Sequence, residues 1–379
     1  MTDFPLIHWT DLQGAEHASA WRSDGAAPKR AVPADDQLPA DAAYRLVCEG
    51  TALVWQGDFQ NARQLLQALA RRLDRKPRKA PKPGQAPVEA FHLHRLAQAQ
   101  RARTLGMLLI PLEADYGIGL RRAPDLREAC EAAWGPGSAR LLVPLRELLG
   151  VVGSFEWRKK GVPVAALGGA SIHAHYGVFS PVRGEYLDLV ARAPLPARTL
   201  AFDIGTGTGV LAAILAARGV ERVVATDLQP HALACAADNL ARLGLSGRVT
   251  LECVDLFPAG RAQLIVCNPP WLPGKPSSAL EAAVYDAGSA MLKGFLAGLA
   301  AHLDTGGEGW LILSDLAEHL GLRTRDELLG WIDAAGLTVI ARNDIRPVHP
   351  KATDRDDPLH HARSAEVTSL WRLGVGKGG

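Results

Sequence analysis

Between residues 199 and 375 short apolar runs alternate in a regular order with longer helical stretches. "TLAFDIG" predicts a strand, "TGTG" a turn and "VLAAILAARG" a helix. "RVVATD" and "RVTLECVD" predict strands on either side of the helix "PHALACAADNLARLG". "AQLIVCNPP" predicts a fourth strand, "LEAAVYDAGSAMLKGFLAGLAAHL" one long helix, and "GEGWLILSD" a fifth strand. A helix at "TRDELLGWIDAAG" is followed by strands at "LTVIARND" and "EVTSLWRLG". The strand segments are almost continuously apolar, which marks a parallel sheet covered on both faces by helices. The last two strands have no strong helix between them and predict an antiparallel edge.

The pattern before residue 161 is less regular. Residues 1–40, rich in Ala, Pro and Asp, read as an extended lead-in. Residues 41–160 predict a smaller α/β or α+β domain, with Leu65, Leu66, Leu69 and Leu73 at helical spacing. A small apolar join, "GVPVAALGGA" (161–170), leads to the regular region 171–379.

Composition changes this picture only locally. The net charge of +2 is uninformative, but residues 1–170 hold 23 Lys/Arg against 18 Asp/Glu. The excess gathers in the linker "RRLDRKPRKAPKP" (71–83), a Pro- and Lys-rich run that is either a solvated connection or a contact for nucleic acid or an acidic surface. Five scattered cysteines without a C-x-x-C argue against a disulfide framework or zinc site and for a reducing, cytoplasmic setting. No basic region followed by an apolar run opens the sequence, and no stretch approaches a membrane span.

The candidate chemistry lies where strands end. Ligands of open α/β sheets bind beyond the carboxyl ends of the strands. The first strand ends in Asp203 and a turn containing Gly205, Thr206, Gly207 and Gly209; the second ends in Asp227, the third in Asp255, the fourth in Asn268. A dinucleotide fingerprint would read G-x-G-x-x-G; here the third glycine comes one place early. Asp227 follows Gly209 by one strand–helix–strand step and suits the two hydroxyls of a ribose, a pattern that favours S-adenosyl-L-methionine.

This region resembles the class I S-adenosylmethionine-dependent methyltransferases of the small-domain type. "FDIGTGTGV", "ATDLQP", "CVDLF" and "VCNPPW" are similar to their four motifs, in order. The resemblance implies a Rossmann-like seven-stranded sheet with a reversed last strand. It implies that Asp203 and the glycine turn, Thr206 included, hold the methionine end, that Asp227 holds the ribose, and that Asp255 with Leu256 holds the adenine. Asn268 belongs to both the cofactor and the acceptor. The N-P-P-aromatic motif resembles that of HemK-type glutamine methyltransferases and of ribosomal RNA base amino methyltransferases. It implies that Asn268 and the Pro269 carbonyl accept the N–H groups of a planar acceptor nitrogen and that Trp271 stacks on it. Tyr or Phe is commoner than Trp at that place.

"HYGVFSPVRGEYLDLV" (175–190) resembles the segment preceding the first motif in both groups, with Glu185 or Tyr186 lining the cofactor or serving as cap and core. The substrate expected is a macromolecule of the translation machinery: a protein glutamine, or alternatively a guanine N2 or adenine N6 of ribosomal RNA. A non-catalytic S-adenosylmethionine-binding module is the remaining alternative. "HLH" (92–94), "HAH" (173–175) and "DRDDPLHH" (354–361) have no recognised metal-ligand spacing, and no metal is expected.

Overall fold

The computed structural model describes residues 4–75, 84, 86–182, 184–276, 281–348 and 354–376. Two compact units are present: one of residues 1–83 and 92–156, the other of 84–91 and 157–379. Most of the basic run, 76–83, lies outside the described residues.

The first unit opens with strands β1 (Leu6–Thr10), β2 (Glu16–Trp21) and β3 (Arg30–Ala34). Residues 6–34 are thus sheet, where the sequence reads as a lead-in. Their pattern misleads because β1 and β3 bury few side chains and β3 carries Pro33, features of edge strands. Helix α1 (Ala40–Cys48), β4 (Thr51–Trp55), α2 (Phe59–Asp74), α3 (Pro87–Leu105), β5 (Leu108–Leu112), α4 (Arg127–Trp134), β6 (Leu141–Pro144) and α5 (Leu145–Lys160) follow. The six strands form one mixed sheet in the order β1-β2-β6-β5-β4-β3. Its core is built on the fully buried β4 and on Leu65 and Leu69 of α2, while Leu66 and Leu73 are only partly buried.

The second unit continues with the small pair β7 (Val162–Pro163) and β8 (Ser171–Ile172), helix α6 (Glu185–Arg192), β9 (Leu200–Ile204), α7 (Val210–Ala217), β10 (Arg222–Thr226), α8 (Pro230–Arg242), β11 (Val249–Glu252) and β12 (Ala262–Cys267). Short strands β13 (Leu272–Pro273) and β14 (Tyr285–Asp286) pair with each other. Helix α9 (Ala290–His302), β15 (Leu303–Ser314), α10 (Leu316–His319), α11 (Arg325–Ala334), β16 (Leu337–Ile345) and β17 (Thr368–Val375) complete it. Seven strands form the sheet β11-β10-β9-β12-β15-β17-β16. β17 alone runs against its neighbours, so the fold is α/β with a reversed last strand.

Period-two alternation sorts the strands' side chains between two cores. Ala201, Leu264 and Val266 pack with α6 and α7; Phe202, Ile204, Ile265 and Cys267 pack with α9 and α11. The long helix expected from Leu280 onward is broken. Its first half is two 3-10 turns around β14, because Gly288 and Ser289 adopt left-handed backbone at φ 66° and 56°. The Asp286 carboxylate then starts α9 by accepting from the amides of Met291 and Leu292. Among the described residues no helix is long and apolar enough to cross a membrane.

A buried ion pair ties the reversed strand to β15. Arg372 sits opposite Trp310 and donates to Glu308, Nε to Oε2 at 2.7 Å, while the Trp310 indole donates to the same oxygen at 2.9 Å. Arg372→Ala would strand the Glu308 carboxylate and should destabilise the chain by about 3–5 kcal/mol in urea unfolding, whereas an apolar replacement of both partners should recover most of that loss.

Candidate active site

The turn after β9 has three glycines in five residues, Gly205, Gly207 and Gly209, all in the left-handed region at φ 71°, 55° and 79°. Only glycine adopts this backbone without a steric cost, and a run of three folds the chain sharply from strand into α7. The Thr206 amide donates to the Thr226 carbonyl at 2.8 Å, which fastens the turn to the end of β10.

Asp203 organises the turn from beneath. Its side chain is fully buried, and Oδ2 accepts from the Thr206 hydroxyl at 2.6 Å and from the Ala212 amide of α7 at 3.0 Å. Oδ1 is buried and has no partner. Burial pushes this carboxyl up to about 6; the Thr206 and Ala212 bonds oppose that, and the charge of Asp227 adds to it. An orphaned, buried carboxylate oxygen is costly by itself and suits a cationic partner such as the α-ammonium of S-adenosylmethionine. A Cβ at Gly207 would meet nothing within 4 Å, so that face of the turn is open. The residues therefore fit the methionine end of that cofactor.

Asp227 follows β10 directly. Its Oδ2 accepts from the Gly207 amide at 3.0 Å and its Oδ1 from the Gln229 amide at 2.9 Å. Each oxygen keeps a second acceptor site for a hydroxyl. Leu228 beside it is 59% exposed. Asp255 departs from the sequence reading: β11 ends at Glu252, and Asp255 is exposed in the turn beyond it. Beside it Leu256 takes φ 60°, and its carbonyl receives the Thr226 hydroxyl at 2.6 Å. Leu256 thereby comes to the end of β10, with Gly294 of α9 leaving room for its side chain.

Asn268 stands just past β12, and Pro269 and Pro270 after it supply no N–H to continue the ladder. Pro269 is buried; Asn268, Pro270 and Trp271 are half-buried. The Asn268 Oδ1 accepts from the Trp271 indole at 2.9 Å.

Tyr186 joins the two halves of the site. It is 4% exposed and meets Trp271 edge-on at 6.3 Å between centroids. Burial and the nearby Asp203 charge push its phenol above the ordinary range, and the Asn268 side chain opposes them. Glu185 instead accepts from the Val348 amide at 3.0 Å. Met291 gave no sequence signal: its methyl lies 2.5 Å from where a Gly205 Cβ would stand, so it covers the glycine turn.

The HAH segment serves structure. His173 and its amide engage the Arg158 carbonyl and Asn239, and His175 pairs with Asp238 at 2.8 Å. Among the described residues no His, Cys, Asp and Glu cluster could hold a metal.

Gly209 packs hard on α8, where an added Cβ would come within 3.1 Å of the Ala236 Cβ. Gly209→Ala should cost about 1–3 kcal/mol in urea unfolding, more than Gly207→Ala, whose Cβ has open space.

Residues 169–324 match the family model described as Methyltransferase small domain. The release factor glutamine methyltransferase of Cereibacter sphaeroides is 35% identical over 153 residues, covering 37% of this chain and 52% of its own. The ribosomal protein uL3 glutamine methyltransferase of Bordetella pertussis is 34% identical over 149 residues, 36% of this chain and 50% of its own. The tRNA1(Val) (adenine(37)-N6)-methyltransferase of Vibrio parahaemolyticus is 36% identical over 92 residues, 23% of this chain and 38% of its own. The chain spans about half the length, or less, of these curated relatives. With the seven-stranded sheet and its strand-end residues, the match makes residues 169–324 a methyltransferase small domain, of the class I S-adenosylmethionine-dependent type.

Proposed function

We propose that the chain is an S-adenosylmethionine-dependent N-methyltransferase that modifies a planar amide or amino nitrogen in a macromolecule of the translation machinery, with a protein glutamine as the first candidate. The observation that carries this reading is the placement of Asn268. It follows the strand paired directly with the Asp203 strand, and its bonded neighbour Trp271 meets Tyr186 edge-on. The two glutamine-modifying relatives favour the protein acceptor, and the adenine-modifying relative keeps an RNA base as the second reading.

When bound, S-adenosylmethionine supplies an electrophilic methyl group. Asp203 Oδ1 would receive its ammonium, Asp227 its ribose hydroxyls, and Leu256 with Asp255 would border its base. An acceptor amide nitrogen is a weak nucleophile because its lone pair is delocalised. The Asn268 Oδ1 and the Pro269 carbonyl accept its two N–H bonds, which turns the lone pair outward and favours the positive charge that develops on nitrogen. Donors preorganised for charge in other enzymes contribute about 3–4 kcal/mol each, and these acceptors are assigned a similar role with the sign reversed. Held in line, the reacting atoms gain the further advantage of proximity.

Asn268→Ala should lower methyl transfer by at least a hundredfold while the calorimetric affinity for S-adenosylmethionine stays within threefold. Full activity in that variant would refute the role. The acceptor follows from incubating the chain and labelled cofactor with whole-cell extract: label removed by protease but not ribonuclease identifies a protein, and the reverse identifies RNA.

Asp203 makes cofactor affinity depend on pH. The ammonium pairs with the ionised carboxylate, whose pKa is raised to about 6 in the free chain. Affinity should therefore be full well above pH 6 and fall about tenfold per unit below it, with Asp203→Asn weak and flat across the same range. In the free chain the sign for stability is opposite: the folded state holds this proton more tightly than the unfolded, so this contribution is full below about pH 4 and is lost as pH rises through about 6.

A further inference from the structure

The bond between Trp271 and Asn268 assigns the aromatic residue of the N-P-P-W motif a task other than stacking. We propose that Trp271 is a positioning residue whose indole N–H locks the Asn268 carboxamide with its oxygen presented for transfer. The inference rests on the reading of Asn268 as the group that receives the acceptor nitrogen.

Two observations converge. First, the indole nitrogen is a donor only, so at 2.9 Å it bonds the oxygen end of the carboxamide and rejects the flipped amide. Second, Trp271 has little freedom to swing onto a substrate. It packs against the hydrophobic clusters on both faces of the sheet and meets the Tyr186 ring at 87°. Its ring is thus a fixed strut across the carboxyl edge, and its N–H is the polar group aimed at the site.

The arrangement matters because an Asn amide is symmetric in shape and opposite in polarity. A flipped Asn268 would aim an N–H at the acceptor N–H and repel it. An unconstrained carboxamide samples both orientations; a locked one is preorganised, with no reorientation left to occur during transfer. The Oδ1 has two lone pairs, and Trp271 occupies one, so one remains for the acceptor. Phe cannot supply this bond, and a Tyr hydroxyl lies at a different point of its ring. An acceptor held this way also needs no aromatic face of its own.

The test uses the full chain with 15N-labelled tryptophan. The Trp271 indole N–H, identified by its loss in Trp271→Phe, should exchange slowly with water in the wild type. In Asn268→Ala it should move upfield and exchange at least tenfold faster. An indole signal unchanged by Asn268→Ala overturns the proposal.

Transfer of labelled methyl from S-adenosylmethionine into whole-cell extract supplies the second arm. Trp271→Phe, which keeps the ring and removes the N–H, should lower the maximal rate about tenfold, with the half-saturating extract concentration and cofactor affinity unchanged. Trp271→Leu should lose at least as much. Should Trp271→Phe keep the wild-type rate while Trp271→Leu raises the half-saturating concentration, the residue stacks and the proposal is wrong. Asn268→Ala run alongside separates the two readings: full transfer there sinks the role of Asn268 itself, whereas its loss with an unimpaired Trp271→Phe sinks only the lock.

Discussion

The site depends on a division of labour within one carboxylate. Asp203 Oδ2 fastens the Thr206 hydroxyl and the first turn of α7, and so holds the glycine turn in the shape its left-handed backbone permits. Oδ1 is left buried and unpaired, at a cost that the rest of the fold sustains. In the proposed function, a charge with one half structurally engaged and the other half free would be a preorganised receptor for the cofactor's ammonium. The same burial that raises its pKa strengthens its attraction for a cation.

From this anchor the sheet places the remaining groups by register. β10 and β12 flank β9, with Asp203 opposite Ala225 and Val266. Asp227 and Asn268, each one residue past its own strand, therefore emerge on either side of the glycine turn. Neither needs a long loop to find its place. The polar contacts Thr226–Leu256, Asp227–Gly207 and Asn268–Trp271 then convert strand ends into fixed side chains. The rigidity of the rim comes from parallel pairing, and the finer aim comes from these hydrogen bonds.

The parallel sheet was legible because strands buried on both faces write themselves as apolar runs, and Asp227 and Asn268 interrupt those runs one residue past their strands, whereas Asp203 is a buried charge inside its own. β1 and β3 were not legible, since edge strands with many side chains in water look like irregular chain, and β2 between β1 and β6 buries only its second half. The helix expected from Leu280 hid its break in the conformations of Gly288 and Ser289, which composition does not reveal. Asp255 was placed at a strand end because "RVTLECVD" continues the apolar pattern; β11 stops at Glu252, and the bond of Thr226 to left-handed Leu256 beyond it is a tertiary contact that the pattern does not record. Tyr186 was read as lining or core, and it is buried against Trp271. Met291 over the glycines and the indole bond to Asn268 depend on side-chain direction between elements far apart in sequence, and spacing carries no record of either.

The most direct measurement is a crystal structure of the full chain with S-adenosylhomocysteine. In the proposed arrangement the ligand amino group should lie within hydrogen-bond distance of Asp203 Oδ1, the ribose hydroxyls on Asp227, and the sulfur facing Asn268. A nucleoside bound elsewhere, or bound over this rim without contact to Asp203 and Asp227, would contradict it.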